Sequence, residues 1–246
     1  MNSSLSAAQS KRAGYVLHVM TASGAVAGML ALESVISSHL RAALLWLIVC
    51  QVLDGLDGPL ARKLDVTIHA SRIDGHILDL VVDYLTCVVV PVALLLSQHL
   101  LPSHYATFVA ALIFLSSALW FARTDQETAD HWFNGFPAVW NLVIPTLLIL
   151  GSDKNEVLIS TLVLCALQLT NFKIPHLARV AKFRMLTLPL TALYLIDLTF
   201  LSWNFTELSG DKINNLQKIF LIAFPIYIGV LSIWRTWFAK SQQMRS

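Results

Sequence analysis

The chain has 246 residues, 56% of them from the AVILMFWYC set and only 13% charged, with a mean hydropathy of +0.66. A soluble domain carries about 25% charged residues, so these few charges cannot coat a water-exposed globule, and the same deficit excludes a disordered chain. The formal net charge of +2 says little by itself, since in a membrane protein the placement of the basic residues is what matters, and no nucleic-acid partner is expected. The composition is that of an all-α integral membrane protein without a large extramembrane domain.

A polar, Ser-rich N-terminal segment, residues 1–13, ends in Lys11 and Arg12. The apolar stretch behind it is too long for a signal-peptide core and shows no clear cleavage site, so it reads as a first span. At about 20 apolar residues per crossing, eight transmembrane helices are predicted, at 14–37, 42–60, 75–98, 103–122, 137–151, 155–171, 185–203 and 215–237. They form one transmembrane domain, 14–237, followed by a cytoplasmic tail, 238–246. The fifth and sixth are short, which suits tilted or re-entrant segments, or a pair joined at Gly151-Ser152-Asp153. Pro91, Pro145, Pro189 and Pro225 fall inside spans and are expected to kink them. Gly24 and Gly28, one turn apart in the first span, suit a helix-packing face. Cys50, Cys87 and Cys165 lie in apolar segments without metal-type spacing and read as small buried hydrophobes.

Charge placement sets the orientation. With the N-terminus in the cytoplasm, thirteen of the 17 Lys and Arg lie inside, and only Arg41, Lys154, Lys212 and Lys218 lie outside. That bias predicts both termini in the cytoplasm and an even number of spans. Trp203, Trp234 and Trp237, near span ends, suit an interfacial belt.

Four carboxylates stand where the membrane makes them costly, about 2.5–3.5 kcal/mol each at a helix centre. Asp54 and Asp57 lie near the end of the second span, and Asp79 and Asp83 near the start of the third. Spacings of three and four place each pair on one helix face. The second span runs inward and the third runs back, so all four acids sit at the same depth near the cytoplasmic surface. Left together they would repel, and some would take up protons. One or two divalent cations resolve this, and all-oxygen ligation favours a hard ion such as Mg²⁺, Mn²⁺ or Ca²⁺. Two ions roughly 3.5–4 Å apart would suit phosphoryl chemistry. Separate salt bridges to Arg62, Lys63 or Arg72 are the plain structural alternative, and a divalent-cation transporter is the functional one.

The segment between the pairs favours an enzyme. Gly58 and Ala61, one turn apart, leave a groove for close approach of a ligand. Arg62 supplies a planar cationic fork for phosphate. Acids for a metal, small residues and an arginine together describe a nucleotide diphosphate site, for which a transporter has no evident use.

These residues resemble the CDP-alcohol phosphatidyltransferase family. Its pattern, D-x-x-D-G-x-x-A-R followed by G-x-x-x-D-x-x-x-D, is matched at every fixed position by Asp54, Asp57, Gly58, Ala61, Arg62, Gly75, Asp79 and Asp83. The usual gap of eight residues is here twelve, Lys63 to Asp74. That longer gap resembles the bacterial phosphatidylcholine synthases of the family. So do Thr21-Ala22-Ser23-Gly24, Leu78 to Tyr84, and Gly135-Phe136-Pro137-Ala138-Val139-Trp140-Asn141. The resemblance covers about residues 14–185.

The resemblance implies transfer of a phosphatidyl group from CDP-diacylglycerol to choline with release of CMP, at a bacterial inner membrane and near its cytoplasmic face. It implies two divalent ions, Mn²⁺ or Mg²⁺, held by Asp54, Asp57, Asp79 and Asp83, with Asp83 also the candidate general base. It implies a CDP site at Gly58, Ala61, Arg62 and Gly75, with Thr21 as a further candidate, eight spans, membrane lipid as surroundings and a possible homodimer. The same chemistry with serine, glycerol phosphate or inositol phosphate as acceptor is the alternative. A quaternary ammonium calls for aromatic faces, and Tyr84, Trp132, Phe133 and Trp140 are the candidates, with Trp120 and Phe121 nearby. The loop acids Asp125, Glu127 and Asp130 suit a solvated loop or a lure for the cation. Lys173, Arg179, Lys182 and Arg184 suit either anionic headgroups or ordinary topology. Asp197 reads as an unpaired acid in the seventh span, and His176 has no evident partner.

Overall fold

The structure, a computed structural model, describes residues 7–63, 72–205 and 215–239; of residues 7–11, 57, 59 and 61–63 only the backbone is described. Helix α1 (Ala7–Ile36) starts within the polar segment, and α2 (Leu40–Lys63) packs back along it. The turn between them is closed by Ser38 in the left-handed region (φ 59°), with the His39 N–H donating to the Ser34 carbonyl at 2.8 Å. Gly24 and Gly28 do form a packing face. A Cβ on Gly24 would lie 2.8 Å from Val82 Cγ1, and one on Gly28 would lie 3.0 Å from Thr86 Cγ2. These glycines let α1 and the third span approach to backbone range.

That third span is one rod in three parts: α3 (Gly75–Asp83), a wider π-helical stretch (Tyr84–Val89), and α4 (Val90–Ser97). Asp74 caps its start, accepting from the His76 and Ile77 N–H groups at 3.0 and 3.1 Å. Pro91 accounts for the wide stretch, because its ring would meet the Cys87 carbonyl in a regular helix and it has no N–H to donate there.

Helices α5 (Ser103–Phe121) and α6 (Trp140–Leu150) pack on the rod, and α7 (Lys154–Gln168) packs along α5. Leu44, Leu94, Leu95, Ile113, Trp140 and Ile144 are wholly buried among them. Several polar groups in that core pair with one another. Ser116 Oγ donates to Gln168 Oε1 at 2.6 Å, and Trp140 Nε1 donates to Ser117 Oγ at 2.9 Å. Gly151, left-handed at φ 67°, ends α6, and an Asp153–Glu156 capping box opens α7. Cys50, Cys87 and Cys165 are free thiols buried as small hydrophobes.

A two-stranded antiparallel sheet closes one end of the bundle, pairing β1 (Trp132–Asn134) with β2 (Lys173–Pro175). The loop acids are not merely solvated, as a polar loop would suggest. Asp125 pairs with Arg123 at 2.9 Å, Glu127 with Arg179 at 2.8 Å and His131 at 2.7 Å, and Asp130 with Arg235 at 2.8 Å. His176 has partners too: its ring stacks on Phe133 and its Nδ1 accepts from the Ala178 N–H. Burial pushes its imidazole down to about 4, so it is neutral near pH 7.

Helices α8 (Arg184–Trp203) and α9 (Asn215–Ile233, extended by a π-helical turn to Phe238) complete the chain. Asp197 is not solitary, since Gln217 of α9 donates to its Oδ1 at 3.1 Å. Among the described residues eight helical runs lie where eight spans are expected, and five of these are long and apolar enough to cross a membrane: Arg12–Ile36, Gly75–Ser97, Ser103–Phe121, Arg184–Trp203 and Asn215–Phe238. Helix α6, with 11 residues, rises only about 16 Å at 1.5 Å per residue, about half a hydrocarbon core. The protein is an all-α integral membrane protein with a small sheet at one end.

Candidate functional site

Three helices build the site. Asp54 comes from α2, and Asp79 and Asp83 come from successive turns of α3. Each offers a carboxylate oxygen within 4.8 Å of the other two, and all three side chains are half-buried. They line a small cleft that is completed by Thr21 and Gly24 of α1, Cys50 and Leu53 of α2, Val82 of α3, and Thr86 of the π-helical stretch. The local causes are legible. The Asp74 cap fixes where α3 starts, four-residue spacing puts Asp79 and Asp83 on one face, and Gly24 lets that face come against α1.

Three carboxylates within the reach of one ion are the donor set of a hard divalent cation, which takes oxygen ligands. Asp54, Asp79 and Asp83 are the residues that could hold it. Asp57 lies one turn further along α2, but its side chain, like those of Ala61 and Arg62, is outside the described residues. Gly58 lies on the same helix. Gly75 opens α3 directly against His18, whose Cε1 would be 3.1 Å from a Cβ at that position.

The aromatic candidates divide. Tyr84 follows Asp83, donates its hydroxyl to the Phe114 carbonyl at 3.1 Å, and packs on Phe114 and Phe121. Phe133 lies edge-on to Trp120 and stacked on His176, with centroids 5.8 and 5.2 Å away. Trp132 is buried and already faces a cation, the Arg235 guanidinium at 5.8 Å from its ring. Trp140 is wholly buried with its indole N–H held by Ser117. None of the four is among the residues that line the cleft.

Sequence reasoning passed over His18, Gln51 and Thr86, and read Gly24 as a packing residue and as part of the Thr21-Ala22-Ser23-Gly24 resemblance. A signal for the first was present: His18, Thr21, Gly24 and Gly28 recur every three or four residues and mark one polar, small-residue face of α1. Gln51 had a similar mark, one turn before Asp54 on the same face; its amide donates to Asp54 Oδ2 at 3.2 Å.

Comparison with known proteins agrees with this geometry. A family model described as CDP-alcohol phosphatidyltransferase matches residues 16–239. A phosphatidylcholine synthase of Pseudomonas aeruginosa is 37% identical over 187 residues, 76% of this chain and 79% of that protein. A phosphatidylcholine synthase of Bradyrhizobium diazoefficiens is 36% identical over 196 residues, 77% of this chain and 73% of its own length. One from Borreliella burgdorferi is 29% identical over 228 residues, 93% and 96% of the two chains. With its acids gathered in one cleft and the match running from α1 to the end of α9, this chain belongs to the CDP-alcohol phosphatidyltransferase family.

Proposed function

We propose that the protein is a phosphatidylcholine synthase, which transfers the phosphatidyl group of CDP-diacylglycerol to choline and releases CMP. The observation that carries this reading is the convergence of Asp54, Asp79 and Asp83 on one cleft, in a chain whose relatives over most of its length are phosphatidylcholine synthases. The choline oxygen bonds to the β-phosphorus, the bond from that phosphorus to the CMP oxygen breaks, and CMP leaves with the electron pair. The hydroxyl proton passes to Asp83, the general base, a role worth about 10²–10⁴-fold in rate.

Asp54, Asp57, Asp79 and Asp83 hold two divalent ions, Mn²⁺ or Mg²⁺. When bound, these supply charge neutralisation on the diphosphate and on the departing CMP. Gly58, Ala61, Arg62, Gly75 and Thr21 receive the CDP moiety. Tyr84 and Phe133, whose rings are less enclosed than those of Trp132 and Trp140, are the better-supported faces for the quaternary ammonium. All eight helical runs enter the bilayer, both termini face the cytoplasm as the charge bias directs, and the cleft opens near that face of a bacterial inner membrane. Lipid tails then enter sideways while choline arrives from water.

The test is CMP release by purified protein with CDP-diacylglycerol and Mn²⁺, with choline, serine or glycerol 3-phosphate offered separately. Release with choline alone, with phosphatidylcholine as product, is expected. Release with another acceptor would overturn the acceptor and keep the reaction, and no release from folded, metal-loaded protein would return the reading to cation transport.

A further inference from the structure

The stretch Gly135 to Asn141 resembles the bacterial phosphatidylcholine synthases, yet nothing in the reaction above uses it. Its first half is an anchor. The Gly135 N–H donates to the Phe172 carbonyl at 2.8 Å, and the Phe136 N–H donates to the Leu167 carbonyl at 3.2 Å. Trp140 is locked by Ser117. The residue so delivered is Asn141, 2% exposed, at the start of α6. Its Nδ2 donates to Gln51 Oε1 at 3.0 Å, and Gln51 Nε2 donates in turn to Asp54 Oδ2 at 3.2 Å.

The direction of this chain follows from its last member. An ionised carboxylate only accepts hydrogen bonds. Gln51 must therefore present its amide N–H to Asp54, which turns its Oε1 toward Asn141, and Asn141 must present its own N–H. Asn141 Oδ1 is thereby turned away and is left buried without a hydrogen-bond partner among the described residues. A buried amide oxygen in that state costs about 1–3 kcal/mol, a cost that an isolated core asparagine would avoid by flipping or by replacement with an apolar residue. The chain keeps it where its other end faces Asp54.

We propose that Gln51 and Asn141 are positioning residues that fix the orientation of the Asp54 carboxylate, so that α6 sets the geometry of the acidic cluster from outside the cleft. Neither residue touches the reacting groups; they act through Asp54. This rests on the reading of Asp54, Asp79 and Asp83 as divalent-metal ligands. Partners of metal-bound carboxylates typically change metal affinity 10–100-fold when removed.

The experiment measures Mn²⁺ binding to the purified full-length protein in detergent without lipid substrate, by the electron paramagnetic resonance signal of free Mn²⁺. The variants are Gln51→Met, Asn141→Leu and the double substitution. Gln51→Met is expected to weaken binding about 10–100-fold, and Asn141→Leu by a smaller factor. The double variant should match Gln51→Met within about twofold, because Asn141 has no route to the metal once Gln51 is gone. Added Mn²⁺ should restore CMP release in each.

Unchanged affinity in Gln51→Met, or losses that multiply in the double variant, would overturn the proposal. So would a lowered melting temperature with wild-type Mn²⁺ affinity, which is the signature of a purely structural role. Asn141→Ser, expected to lose affinity as Asn141→Leu does, carries the test if the larger changes do not fold. Wild-type protein that binds no Mn²⁺ would remove the metal reading and this inference with it, whereas wild-type binding with indifferent variants would remove this inference alone.

Discussion

Gly24→Ala tests whether the approach of α1 to α3 sets the site. The added Cβ would lie 2.8 Å from Val82 Cγ1, where carbon atoms rest at about 3.5–4.0 Å. Relief therefore needs about 0.7–1.2 Å of movement. Val82 cannot swing aside, because a β-branched side chain in a helix is held to one rotamer, so α3 must shift. Overpacking of this kind costs about 1–3 kcal/mol, and the better helix propensity of alanine offsets about 1 kcal/mol of it, so the protein should still fold with a modestly lower melting temperature. The cleft is affected more. Val82 lies between Asp79 and Asp83, and moving α3 carries both acids away from Asp54 of α2. A misplacement of about 1 Å can cost 10²-fold in rate, so CMP release should fall by about that factor. Val82→Ala deletes the opposing methyl, and the Gly24→Ala/Val82→Ala pair should recover most of the activity. Wild-type turnover in Gly24→Ala, or a failure of Val82→Ala to rescue it, would refute the reasoning.

Asp54→Asn and Asp79→Asn should each abolish Mn²⁺ binding and CMP release, and wild-type turnover in both would sink the metal assignment. Asp83→Asn should lower kcat by about 10²–10⁴-fold while changing the affinity for CDP-diacylglycerol less, as competition binding would show. Gly135→Ala should be among the most destabilising small substitutions: φ is +83° there, and a Cβ would lie 2.5 Å from the Gln168 carbonyl oxygen. The left-handed backbone alone costs about 1–2 kcal/mol, and a melting temperature within a degree of wild type would contradict this. His176 predicts a pH effect. Its folded pKa of about 4 lies below the ordinary 6.5, so the unfolded chain takes up the proton first. Its contribution to stability is complete above pH 6.5 and is lost as pH falls from there toward 4. His176→Phe, which can keep the stack on Phe133, should lose less stability between pH 7 and pH 5 than wild type.

The cluster of Asp54, Asp79 and Asp83 was legible because its determinants are local: an acid near the end of one helical segment and two at four-residue spacing near the start of the next. The helical runs were legible for the same reason, since apolar length is a property of a continuous segment. Gln51 could be seen beside Asp54 on α2, but its bond to Asn141, ninety positions away, could not. Asp197 looked unpaired because Gln217 lies on another helix. The sheet was missed because three-residue strands carry no periodicity, and Trp132 and Phe133 pair with Pro175 and Ile174 across some forty residues of chain. Trp132 and Trp140 look like their exposed counterparts in one dimension, and only packing tells a ring that is enclosed from one that is open.

From residue order alone came the membrane class, the approximate limits of the helices, the family pattern and the acids that gather in one cleft, since each depends on composition or spacing within one or two adjacent segments. Tertiary structure alone decided how near α1 comes to α3, where the rod widens ahead of Pro91, and that α6 reaches Asp54 through two amides. Those features arise where distant segments exclude one another's volume and satisfy one another's hydrogen bonds, and no local pattern encodes which segments meet.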